Sequence, residues 1–393
     1  MAEAVGGPGV TAGRILQLLR KESVSRSQLA RITGLSATTV SARLELLLEH
    51  GYVVQDSGTR NRGRRPVGVR VDPDYGRVAA VHIGTHHTRL GLLDAAGQLP
   101  MVREYDMTTA IDHEQYLVWL EQELRRVLAE GVSGSQGPPL RGIGISIPSP
   151  VDAETGQLVD PSHMPQWSGV EPVTYLTESF DVPVLADNDA TLMAMGEHRM
   201  NYPGVKDMLY VKIGSAVGCG IISSGAVHRG RHGGAGEIGH LPTETVYRRR
   251  CVCGRDNCLE ACLGGAAIVE HLRSRGVEIG STNDLLVPGV ASHPEVREIL
   301  KAAGDAVGEV LGLLTDFFNP ELIVLGGNLA RSDIVMQALR VSLFARSLPL
   351  STRRLQVVPT INGANAAMFG AGLMVLDHLL DAESVDRQLT TPG

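Results

Sequence analysis

At 393 residues, 43% hydrophobic and 20% charged, the chain is too long for one hydrophobic core and too apolar for wholesale disorder. The net charge of −7 is uneven: residues 1–75 hold 11 Lys and Arg against 7 Asp and Glu, a net of +4, so the remainder carries −11 and only the head suits a polyanion. The start MAEAVGGPGVTAGRILQLLRK lacks a long apolar run, and GAGLMVLDHLL is interrupted by Asp377, so the expectation is a cytoplasmic protein with no membrane segment.

The head opens with GRILQLLRK, which places Ile15, Leu16, Leu18 and Leu19 on one side of a helix. SRSQLARITG follows, with Ser25 and Gln28 at capping-box spacing and Gly34 ending the short helix. LSATTVSARLELLLEHG starts at Ser36, a good N-cap, and turns Val40, Leu44, Leu47 and Leu48 inward. Its first turns expose Ala37, Thr38, Thr39, Ser41 and Arg43 beside Ser36. This pattern is a helix-turn-helix whose third helix offers small polar groups and one arginine to the major groove. Two β-type runs, YVVQ and VGVRV, flank DSGTRNRGRRP, a hairpin tip bearing Arg60, Arg62, Arg64 and Arg65. Such a wing lays arginines along phosphates or into a narrow minor groove. The expected double-stranded DNA-binding unit spans 1–75.

After VDPDYG, strands alternate with helices. RVAAVHIGTHHTRLGLLD reads as strand, tight turn, strand, and DHEQYLVWLEQELRRVLAEG as an amphipathic helix with Asp112 at its N-cap. LRGIGISIPSPVD is a strand entering a proline-rich turn, and DVPVLADNDA a buried strand delivering acids at its end, before the helix TLMAMGEHRM. MLYVKIGSAVGCGIISSGAV repeats the strand–glycine turn–strand idea; ELIVLGGNLA is a further strand, and GANAAMFGAGLMVLDHLL a helix rich in small residues. The expectation is an α/β body of two lobes, 76–190 and 191–363, the first completed by 364–393. Glycine turns in each lobe can bring backbone N–H groups to phosphate oxygens, with a ligand between the lobes.

Residues 234–260, GAGEIGHLPTETVYRRRCVCGRDNCLE, put His240, Cys251, Cys253 and Cys258 close in sequence, the Cys₃His set of a closed structural zinc site. In a reducing compartment three thiols this close ligate metal rather than form disulfides. Cys219 and Cys262 read as small core residues. Four protein ligands leave zinc no open position, so its role is to fix the loop carrying Glu237 and Glu260. Those carboxylates, with Asn188 and Asp189, form a ring of acceptors for sugar hydroxyls.

GAGEIGH followed by CVCGRDNCLE closely resembles the two signature stretches of the ROK family of sugar-responsive repressors, open reading frames and sugar kinases. GIGISIPSPVD, LADNDA and LIVLGGN resemble three further blocks of that family, and the winged head resembles its regulator branch. The resemblance implies an actin-like, two-lobed sugar-kinase fold, assembled as a homodimer or homotetramer with its interface in the second lobe. It implies zinc on His240, Cys251, Cys253 and Cys258, and sugar against Asn188, Asp189, Glu237, His240 and Glu260, with His240 using one ring nitrogen for each. In kinase members the aspartate matching Asp189 is the general base.

Departures from the kinase pattern bear on activity. His82 stands where kinases carry the acid of the first phosphate turn, and Ser215, Val217 and Cys219 alter the second. Ser149 and His163 replace a commoner glycine and asparagine near the sugar. Phosphoryl transfer rests on positioning and charge neutralisation, which these changes weaken. The sequence therefore reads as a non-enzymatic, sugar- or sugar-phosphate-responsive repressor of carbohydrate-utilisation genes. The alternatives are an ATP-dependent sugar kinase with a regulatory DNA-binding head, and a regulator governed by a protein partner.

Overall fold

The structure, a computed structural model, describes residues 10–56, 67–130, 137–152, 155–159, 161 and 164–390. The head comprises α1 (Ala12–Leu19), β1 (Val24–Ser25), α2 (Arg26–Thr33), α3 (Ala37–Glu49), β2 (Val53–Gln55) and β3 (Gly68–Val71), with its strands in the order β1-β3-β2. Local signals account for the boundaries. Ser25 and Gln28 form a reciprocal capping box at the start of α2, and Gly34 ends that helix at φ 68°. Ser36 Oγ accepts from the Thr39 N–H, 3.1 Å away, to open α3. Ile15, Leu16, Leu19, Leu29, Val40, Leu44 and Leu47 are buried. Leu18 and Leu48, expected inside, are half-buried: each helix advances 100° per residue, so they sit on the shoulder of the apolar stripe.

The first lobe is built on β4 (Arg77–Ile83), β5 (Thr88–Asp94), β6 (Met101–Tyr105), β7 (Leu140–Ile147) and β8 (Val184–Asn188), in the order β6-β5-β4-β7-β8. β4, β5 and β6 are antiparallel neighbours, whereas β7 and β8 join parallel. Helices α4 (His113–Glu130) and α5 (Pro172–Phe180) cover one face, where Tyr116, Leu120, Leu124 and Leu176 meet Val81, Ile143 and Ile145. Helix α6 (Asp189–Asn201) starts directly at the end of β8.

The second lobe repeats the plan. Strands β9 (Met208–Ile213), β10 (Val217–Ser223), β11 (Ala226–Val227), β12 (Leu322–Gly326) and β13 (Gln356–Pro359) lie in the order β11-β10-β9-β12-β13. Around them run α7 (Leu259–Leu263), α8 (Gly265–Ser274), α9 (Pro288–Ala291), α10 (Pro294–Phe318), α11 (Asp333–Arg346) and α12 (Pro349–Thr352). Cys219 and Cys262 are buried in this lobe's core, as small apolar residues are.

Two C-terminal helices follow, α13 (Ala366–Leu379) and α14 (Ala382–Thr390). The sequence assigned 364–393 as a block to the first lobe. α13 packs against β4, β5, β7 and β8, but α14 lies on α1 of the head. Its apolar Val385 points into the cluster that also holds Ile15 and Leu16, so burial of that stripe decides its place. Among the described residues no single helix is long and apolar enough to cross a membrane.

Candidate ligand cleft, metal centre and nucleic-acid interface

A cavity of about 340 Å³ lies where the strand ends of the two lobes face each other. Ser149, Asn188, Asp189, Glu237, His240 and Glu260 all line it, so residues spread over more than a hundred positions meet at one place. His163, expected among them, lies outside the described residues.

Several of these side chains already have work. Asn188 caps α6: its Oδ1 accepts from the N–H groups of Ala190 and Thr191 at 3.0 and 3.2 Å, and its Nδ2 donates to the Ser149 carbonyl at 3.2 Å. The acceptor role expected of Asn188 is therefore taken by the helix; its amide retains one N–H to offer a ligand. Glu260 Oε2 accepts from the Val217 N–H at 2.8 Å, tying α7 to the second glycine turn. Glu237 opens the short 3₁₀ turn Ile238–His240, with its side chain 40% exposed and facing His240 Nε2 at 3.9 Å.

Lys212 and Arg229, not singled out from sequence, join the lobes. Lys212 Nζ lies 2.5 Å from Asp189 Oδ2, and Arg229 Nε lies 2.7 Å from Asp187 Oδ2. Burial pushes the Asp187 carboxyl up, and Arg229 opposes it. The signal for Lys212 was present: a lysine inside the apolar strand MLYVKI needs a partner.

The turns expected to hold phosphate are differently occupied. His82 is buried, with Nδ1 at 3.0 Å from Ser146 Oγ, and burial pushes its pKa from 6.5 down to about 3. A neutral imidazole supplies none of the negative charge that an acid there would give to magnesium. In the second turn the Val217 N–H goes to Glu260. The carbonyls of Gly214 and Ser215 accept from the Gly265 and Ala266 N–H groups at 2.9 and 3.1 Å, so the turn caps α8. Because the folded pKa of His82 lies below its unfolded value, its contribution to stability is complete above pH 6.5 and is lost as pH falls towards about 3. NMR of the imidazole nitrogens should show His82 neutral from pH 7.5 to 5; a midpoint near 6.5 would contradict its burial.

His240, Cys251, Cys253 and Cys258 bring their ligand atoms within 4.8 Å of one another. Cys251 Sγ is 3.4 Å from His240 Nδ1, and Cys253 Sγ is 3.6 Å from Cys258 Sγ. A tetrahedral zinc with bonds of about 2.3 Å to sulfur and about 2.0 Å to nitrogen separates its ligands by roughly 3.5–3.8 Å, so the set fits that ion. The Arg255 backbone N–H holds the Cys253 thiol down to about 7, whereas burial pushes Cys251 up and Cys258 up to about 12, so it is a bound cation that would favour the thiolate in all three. His240 turns Nδ1 to the thiols and Nε2 to Glu237 and the cavity.

In the head, Ser36, Ala37 and Thr38 are exposed at the N-terminal end of α3, while Thr39, Ser41 and Arg43 are half-buried. The Thr39 hydroxyl is 2.8 Å from Ser36 Oγ. Arg43 Nη1 is enclosed, with no hydrogen-bond partner among the described residues, so Thr38 is displayed more fully than the arginine. The wing residues Arg60, Arg62, Arg64 and Arg65 lie outside the described residues; at the wing base Arg70 Nε meets Asp56 Oδ1 at 2.9 Å.

A model of the ROK family matches residues 78–378, and a winged helix-turn-helix DNA-binding model matches residues 11–54. The xylose repressor of Caldicellulosiruptor bescii is 27% identical over 379 residues, covering 92% of this chain and 94% of that repressor. A solved ROK family transcriptional regulator, a homologue of the E. coli MLC protein, superposes on 97% of this chain and 98% of its own with a TM-score of 0.78 at 21% identity. The ROK hexokinase of Thermus thermophilus covers 77% of this chain and 99% of its own, with a TM-score of 0.62 at 26% identity.

Proposed function

The chain belongs to the ROK family, and from that premise we propose that it is a sugar-responsive DNA-binding repressor of carbohydrate-utilisation genes. The observation that carries the reading is the cleft itself. It presents Asp189, Glu237 and Glu260 to a polyol, while His82 is neutral and the second turn commits its Val217 N–H to Glu260 and its Gly214 and Ser215 carbonyls to the first N–H groups of α8. That site suits holding a sugar better than transferring phosphate to it. The xylose repressor among its relatives supports a pentose or hexose effector.

In this reading zinc on His240, Cys251, Cys253 and Cys258 is structural and orients His240. A homodimer or homotetramer places two heads on a two-fold operator. Large apolar side chains on the second lobe support such an assembly: Leu313, Phe317, Val341, Phe344, Leu348 and Leu350 are exposed, Phe317 to 89%. The second reading, a sugar kinase, is favoured by Asp189 at the end of β8 and by the hexokinase among the structural neighbours.

The test is selection of genomic DNA fragments on the full-length chain, followed by release with a panel of aldopentoses and aldohexoses that includes D-xylose. Expected are enriched fragments with two symmetric half-sites and at least roughly tenfold weaker binding with one sugar, within the range of ordinary allosteric coupling. No enrichment removes the regulator reading. ADP production with that sugar and ATP–magnesium establishes the kinase instead.

A further inference from the structure

The route from the cleft to the head is written in three helices. Helix α6 begins in the cavity with Asp189, which is held by Lys212 of the other lobe. Along its length α6 lies against α13 with no side chain between the backbones at their closest point. A Cβ added at Gly370 would sit 1.9 Å from the Leu192 carbonyl oxygen. Neither helix can shift without the other.

At the far end the same closeness recurs between α14 and α1. A Cβ at Gly13 would sit 2.1 Å from the Ala382 carbonyl oxygen, and the Gly13 N–H donates to Asp386 Oδ1 at 2.8 Å. The Gln17 side-chain amide donates to the Leu380 carbonyl, and Tyr52 of the head donates to Gln388 of α14. Asp377, near the end of α13, divides its carboxylate between the two ends of the route. Oδ1 accepts from Arg20, which caps α1, at 2.6 Å; Oδ2 accepts from Arg199, in the last turn of α6, at 2.7 Å. Leu192 and Met195 of α6, Met368 and Leu376 of α13, Val385 of α14 and Ile15 of α1 belong to one buried cluster.

We propose that α6, α13 and α14 form a fixed helix layer that carries the state of the cleft to α1 of the DNA-binding head, with Asp377 as the pin that joins α6 to α1. The purpose of the device rests on the repressor reading above, but its test does not. The rigid part is the glycine crossing of α6 and α13. The element that would take two arrangements in this scheme is the joint at α1, where the Gly13, Gln17 and Tyr52 hydrogen bonds lie beside the apolar contact of Ile15 and Leu16 with Val385.

Amide hydrogen exchange of the full-length chain, with neither DNA nor sugar added, tests this. Lys212→Met releases the start of α6 from the second lobe, and Arg229→Met releases the neighbouring Asp187. Either change should alter exchange in residues 12–19 by at least roughly fivefold, the low end of allosteric couplings, while α10 stays as in the parent. In an Asp377→Asn or Arg20→Gln background the same cleft changes should move residues 12–19 by less than half as much. Three results overturn the proposal. The head ignores both cleft variants, or responds equally with the pin removed, or changes only as part of a rise that includes α10. Since no sugar or operator enters, failure here leaves the repressor reading standing, and failure of DNA selection leaves this coupling standing.

Discussion

Replacing Cys253 with serine will release the metal, melt the 241–258 loop and abolish sugar binding, while the winged head stays folded. Apart from the metal set, the loop is held by backbone bonds within itself, the Arg249–Glu270 ion pair and Tyr247 against His271. Among the described residues its β-type pairing is confined to the isolated bridges Pro242↔Cys258 and Arg250↔Asp256, and Val246 and Val252 are 87% and 66% exposed. Structural zinc contributes about 10–16 kcal/mol of apparent binding free energy in small zinc-finger peptides, more than loop contacts of this kind can replace. Loss of the ion frees His240 from the turn that Glu237 opens, and Cys258 is the N-cap of the helix that carries Glu260. Both acids therefore leave their places together. The head core of Leu16, Leu29, Val40, Leu44 and Leu47 is shared with α6, α13 and α14 and includes nothing from 241–258, so its helical signal should persist when that loop melts. Elemental analysis should give about one zinc per native chain and none in the variant. Cys219→Ala, which removes a buried thiol outside the cluster, should keep its zinc. Native protein purified without zinc would sink the assignment.

How much of this was legible in sequence follows from how local each feature is. The metal set was legible because three ligands lie within eight positions, and a loop closes around an ion with little help from the rest of the fold. The helix ends of the head were legible because Ser25, Gln28, Gly34 and Ser36 act on backbone groups within three residues. His82 could be noticed as a missing acid, but its neutrality comes from burial, which only the folded lobe supplies. Lys212 was a visible anomaly in its strand, yet its partner lies on the other lobe. Asn188 was seen as a ligand acceptor, whereas the start of α6 takes its oxygen first. The seating of α14 on α1 joins residues more than 370 positions apart, and no local pattern reports such a contact. The wing tip reads in the sequence as a basic stretch between two β-type runs, and its arginines lie outside the described residues.

Asp189→Asn will weaken sugar affinity about ten- to a hundredfold, because a hydrogen bond to a charged group contributes roughly 1.5–3 kcal/mol and the amide keeps one acceptor without the charge. The fold adds a second consequence. Asp189 is 4% exposed and its partner ammonium lies 2.5 Å away, so the variant also leaves Lys212 without its counter-charge. Removing one member of a buried pair is destabilising in proportion to its burial, and Lys212, with its side chain 18% exposed, retains some access to water. Thermal stability will therefore fall in Asp189→Asn and recover in the double variant that adds Lys212→Met, whereas sugar affinity will not recover. The two single variants break the same link between the lobes, so they should shift sugar-free DNA affinity alike. Only Asp189→Asn should then lose the response to sugar as well, since Lys212→Met keeps the carboxylate. Equal sugar affinity in the two single variants would show that the pair matters and the carboxylate does not. The kinase reading makes the contrary forecast: sugar-dependent ATP turnover of about 1 s⁻¹ or faster, the low end for enzymes, in the native chain and none in Asp189→Asn. The ammonium of Lys212 holds Oδ2 of Asp189 and leaves Oδ1 to accept from a sugar hydroxyl, so a carboxylate that holds the sugar is present in either reading. The physical reason to expect a bound sugar that stays unphosphorylated lies on the phosphate side of the cleft, where His82 is neutral and the second turn is engaged with Glu260 and α8.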